Sequence, residues 1–63
     1  MEQQIKDALK ILMKDTKYAK ANILDQRIDM LFKIHKSWII FAQVLLTPQE
    51  MAQKLFTYDK NLG

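Results

Sequence analysis

Few residues in this chain could do chemistry. The sole histidine, His35, has Leu31, Phe32, Trp38 and Ile39 at the positions three and four away, which are the ones that would share its side of a helix. No carboxylate stands there to orient the imidazole, so the expectation is a packed or interface histidine, neither base nor metal ligand. The chain contains no Cys, which removes disulfides, thiolate zinc sites and a cysteine nucleophile while leaving the redox compartment open. No histidine-glutamate spacing of a zinc helix occurs, and one Gly in the whole chain cannot build a phosphate-cradling loop. Glu50 and Asp15 are accounted for by helix capping. The expectation is therefore a protein that is not an enzyme, with no catalytic residue, no metal and no cofactor.

Binding chemistry has more to offer. Lys6, Lys10 and Lys14 recur every four residues and form a basic row. Such a row suits phosphates, but no Arg cluster or stacked aromatics accompany it, so a solvated helix face is the expectation and nucleic acid the lesser partner. Trp38 and Phe41 are candidate anchors for a protein partner and equally candidates for core. Met13, Met30 and Met51 read as gap-fillers, although methionine on an open surface favours loosely specific binding.

These side chains need elements to hold them. Neither Gly nor Pro occurs before Pro48, and apolar residues recur at three- and four-residue intervals, so the chain reads as one all-α domain over residues 1–63 with helices at about 2–14, 18–46 and 48–60. In the first helix Ile5, Ala8, Leu9 and Leu12 share one narrow stripe, which expects a single packing neighbour. Between Ile23 and Leu46 the apolar residues cover roughly 200° of the wheel, about twice an ordinary stripe. Ile28, Leu31, Phe32, Trp38, Ile39, Ala42 and Leu46 make one half of that arc, and Met30, Ile34, Phe41 and Leu45 the other. Asp25, Asp29, Lys33, Lys36 and Gln43 mark the polar side, while Arg27, Ile40 and Val44 break the pattern. One short first helix covers only one flank, so Met30, Ile34, Trp38, Phe41 and Leu45 are the candidate partner-binding residues. At the second joint Thr47 stands at N-cap, Pro48 at the first helical position and Glu50 three residues after the cap, a capping box. Met51, Ala52, Leu55 and Phe56 follow as its inward residues. The first joint is less defined: Asp15-Thr16 is the preferred cap and Asn22 a second candidate, and one bent helix from Glu2 to Leu46 stays open.

Composition bounds the rest. With 63 residues, 49% of them hydrophobic and 27% charged, the chain is globular in type but buries only about 60% of its unfolded surface. Lacking disulfides, such a fold relies on metal, oligomerisation or close helix packing. The net charge of +3 favours acidic partners mildly. The longest uncharged run, 13 residues from Ser37 to Gln49, falls short of the roughly 20 needed to span a bilayer. Met1-Glu2-Gln3-Gln4 offers no basic or apolar leader, so no signal peptide is expected in this chain, and an exported form would be a mature portion.

Two stretches, Leu12-Met13-Lys14-Asp15-Thr16-Lys17-Tyr18 and Leu46-Thr47-Pro48-Gln49-Glu50, resemble the inter-helix turn and the helix-ending segment of the Spy/CpxP family of bacterial envelope proteins. The layout is similar over most of the chain and the sequence at about a dozen positions. Glu50 replaces the family's usual Gln, with Gln49 and Glu50 in swapped order, and the long helix is several residues short. The resemblance implies a helical hairpin plus a short third helix, packed as an intertwined homodimer. It also implies a periplasmic, ATP-independent chaperone or an envelope stress or metal-resistance accessory that holds unfolded or partner protein on its apolar helical face. The alternative is a small cytoplasmic helical regulator that binds RNA or DNA through its Lys-rich face. A weaker third is a subunit that inserts the apolar arc into a larger assembly or rests it on a membrane surface.

Overall fold

The computed structural model describes the backbone of residues 2–62 and the side chains of residues 2–60. The described backbone is helix and turn throughout: α1 Glu2–Met13, α2 Lys17–Lys20, α3 Leu24–Ile34, α4 Lys36–Ala42 and α5 Pro48–Leu62. The all-α expectation holds. The single helix expected over residues 18–46 does not form, and α2, α3 and α4 take its place.

The interruptions at Thr16, Asn22 and His35 each have an identifiable setting. Thr16 occupies the N-cap position of α2, but its hydroxyl donates back to the Met13 carbonyl at 2.6 Å and closes the end of α1. Asn22, a candidate N-cap in the sequence, ends α2 instead. Its φ of 59° lies in the left-handed region that Asn tolerates better than most residues. Around it, the Ile23 amide donates to the Tyr18 carbonyl at 3.0 Å and the Asn22 amide to Ala19 at 3.2 Å. That pair of bonds is a Schellman closure with Asn in the usual glycine place. The second break falls at His35 (φ −105°, ψ 23°), where the chain bends between α3 and α4 without Gly or Pro. There the imidazole stacks on Tyr58 of α5, with ring centres 5.4 Å apart.

Ion pairs show how the helices run. Lys6 meets Asp29 at 3.5 Å and Lys10 meets Asp25 at 3.4 Å, so advancing along α1 retreats along α3. These two are antiparallel, as a hairpin requires. Gln4, Asp7, Ala8 and Leu12 line one cleft with Gln49 and Gln53, while Thr16 and Tyr18 line another with Phe56 and Lys60. α1 therefore borders the start of α5 along most of its length, and the segment that follows α1 borders the end of α5. α1 and α3 form the hairpin, α5 packs on α1, and α4 is the bent extension of α3.

Packing differs from the single-neighbour expectation for the first helix. α1 packs most extensively on α5 and also on α3. Its buried Ile5, Leu9 and Met13 meet Met51, Ala52 and Leu55 of α5 together with Ile28, Leu31, Ile39 and Ala42. The third helix is not short, since at 15 residues it is the longest element. The reciprocal box at its start forms as expected: the Glu50 amide donates to Thr47 Oγ1 and the Thr47 amide to Glu50 Oε1, each at 3.2 Å. A radius of gyration of 10.9 Å matches the roughly 10.6 Å expected of a folded chain of this length.

Candidate binding face

Arg27, which interrupts the apolar pattern in the sequence, fixes how α3 sits. Its guanidinium is ion-paired and hydrogen-bonded to Asp59 of α5, a carboxylate only 3% exposed. The same group lies 5.0 Å from the centre of the Tyr18 ring in α2. One side chain thus ties three helices together. The pair lies 32 residues apart in sequence, beyond the reach of any local spacing rule, and Asp59 was not among the candidate residues.

With α3 held in this way, its two apolar halves face different surroundings. Ile28, Leu31, Ile39 and Ala42 enter the core, and Phe32, Trp38 and Leu46 pack half-buried against it. The other half is left in water. Met30 and Ile34 are exposed on α3, and Phe41 at the end of α4 is 75% exposed. In the turn that follows, Val44 and Leu45 are 83% and 84% exposed, and Ile40 is also open. At about 100° per residue, Met30, Ile34, Phe41 and Leu45 fall within roughly 60° of arc, some 110° round from the buried set. Uncovered apolar surface here is on the order of several hundred Å², the size of the largest patch on an ordinary monomer, which is often functional.

The candidate residues therefore divide. Met30, Ile34, Phe41 and Leu45 lie on one open face, joined by Ile40 and Val44, which sequence periodicity had left as irregularities. Trp38 stands at its edge, half-buried, with its indole edge-on to Tyr58 at 6.1 Å between ring centres. His35 shares the Tyr58 ring with it, and its Nε2 is buried with no hydrogen-bond partner among the described residues. The rings of His35, Tyr58 and Trp38 make an aromatic shelf that holds α4 against α5.

The basic row is differently placed. Lys6 is bracketed by Glu2 and Asp29, each at 3.5 Å, and lies 5.2 Å from the centre of the Phe32 ring. Lys10 is held by Asp25, while Lys14 is exposed with no acidic partner among the described residues. Two of the three lysines thus have their charge answered within the fold. Thr47 and Glu50 are occupied as a cap. Among the described residues no three His, Asp or Glu side chains gather as metal ligands, and no helix is long and apolar enough to cross a membrane. Compared with known proteins, the chain matches no family model, no curated protein and no solved structure.

Proposed function

We propose that this chain is a non-enzymatic helical binding module that holds a protein segment on the open face of α3, α4 and the turn after them. The supporting observation is the exposure of Phe41, Val44 and Leu45 beside Ile34, at a cost in apolar hydration that nothing in the fold itself requires. Covering about 500 Å² at about 25 cal/mol per Å² gains roughly 12 kcal/mol before association costs of about 4 kcal/mol or more. The surplus, to which the partner's own buried surface adds, corresponds to a reversible complex of about micromolar strength or tighter. That strength suits a holder that lowers the concentration of free client by mass action without nucleotide.

The chaperone or stress-accessory role implied by the Spy/CpxP resemblance, with its periplasmic setting, is the specific form of this reading. The same face is where the expected homodimer would form. Binding of RNA or DNA by Lys6, Lys10 and Lys14 has less support, because Asp29 and Asp25 already engage two of these cations. The test is light scattering of a chemically unfolded client diluted into buffer with equimolar chain and no nucleotide. The proposal expects slowed aggregation with the wild type and none with Phe41→Asp/Leu45→Asp. Equal protection by both proteins would refute it.

A further inference from the structure

α4 is held differently from the helices around it. Lys6–Asp29 and Lys10–Asp25 tie α3 to α1, and Arg27–Asp59 ties α3 to α5. From Ile34 to Leu46, no side chain joins an ion pair or a hydrogen bond among the described residues. Lys36 borders Glu2 and Asp29 in one cleft and pairs with neither. The join to α3 is also loose. Across the bend at His35, the helical bonds from the Lys36 amide to the Phe32 carbonyl and from the Trp38 amide to the Ile34 carbonyl are absent. What holds α4 is apolar: Ile39 and Ala42 reach the core, and His35 and Trp38 both rest against the Tyr58 ring. A helix of seven residues has little stability of its own. The turn beyond it is open to water at Val44 and Leu45, and the Thr47–Glu50 box fixes where α5 begins.

We propose that residues 36–46 form a strap that opens as a unit while α1, α3 and α5 stay folded. It hinges at His35 and Thr47, and the Tyr58 ring is its latch. Segments with few buried apolar contacts and exposed backbone are the ones that open below the cost of global unfolding. The rest of the core does not depend on the strap, since the largest fully buried side chains, among them Leu9, Leu31 and Leu55, all lie in α1, α3 and α5. Opening frees Trp38, Ile39 and Ala42 to join Phe41 and Leu45. On the binding reading given above, the open strap offers a partner the most apolar surface, and binding draws the equilibrium toward it.

Native-state hydrogen exchange of the full chain, below the urea unfolding transition and without client, tests the strap apart from the binding reading. The amides of Ile39 to Gln43, Leu45 and Leu46 are bonded to backbone carbonyls. They should nonetheless exchange at least about tenfold faster than the central amides of α1, with little dependence on urea. Tyr58→Ala removes the partner of two rings and should speed them about tenfold more, whereas Tyr58→Phe keeps the ring and the wild-type rates. Asn22→Val, at the far end of α3, weakens the whole fold without touching the strap. It should speed the α1 amides about tenfold and leave the strap amides unchanged. Strap amides that exchange as slowly as those of α1, or that accelerate with them in Asn22→Val, overturn the proposal. Unchanged strap rates in a folded Tyr58→Ala remove the latch. The urea series on wild type and Asn22→Val decides for the strap even where Tyr58→Ala does not fold.

Discussion

The buried Arg27–Asp59 pair carries a prediction with a defined size. Asp59→Ala leaves a guanidinium whose side chain is 17% exposed facing an apolar gap. Breaking a fully buried pair costs about 3–5 kcal/mol. Arg27 can turn partly to water and keeps the Tyr18 ring, so about 2–3 kcal/mol is expected. A domain of this size has only about 3–9 kcal/mol of stability in total, so the loss should approach half of it and lower Tm by roughly 10–20 °C. The contrast lies in the double variant Arg27→Met/Asp59→Leu, which removes both charges and fills the space, and which should be within about 1 kcal/mol of wild type. Urea unfolding of wild type, Arg27→Met, Asp59→Leu and the double variant gives the coupling energy directly. If Asp59→Ala costs less than about 0.5 kcal/mol, or the single-variant losses simply add in the double variant, the pair does not hold α3 to α5 as described.

Other consequences follow from the same packing. Leu9→Ala, in the α1 stripe, should cost about 2–5 kcal/mol by thermal melting, whereas Phe41→Ala should stay within about 0.5 kcal/mol, because only one of the two leaves a cavity. Thr47→Ala removes one arm of the cap and should cost about 1 kcal/mol in denaturant titration. Asn22→Gly should be nearly neutral and Asn22→Val about 1–2 kcal/mol destabilising in the same titration, since only the second opposes a positive φ.

Much of the fold was legible because its signals are local. Three-and-four spacing exposed the helices, and the Thr47–Glu50 box placed the start of α5 to the residue. The inward half of the α3–α4 arc, from Ile28 to Ala42, was also readable, since burial follows periodicity. The breaks at Asn22 and His35 were not. Asn serves both ends of helices, and choosing between them requires the backbone angle that tertiary packing imposes. His35 bends the chain for a stacking partner, Tyr58, on another helix. Arg27 looked like an error in an apolar pattern because Asp59, which explains it, lies on a helix the pattern does not contain. The candidate face was legible as an excess of apolar residues. Its extent was not, since Ile40 joins it from within α4 and Val44 from the turn that follows.

Uptake of protein on the open side of α3, α4 and the following turn is visible to amide-resolved NMR of isotopically labelled chain titrated with a permanently unfolded client protein. Shifts and broadening are expected to concentrate between Met30 and Leu46, with the amides of α1 little changed. Perturbations centred on the Lys6–Lys14 side of α1, or none at client concentrations well above micromolar, would contradict it.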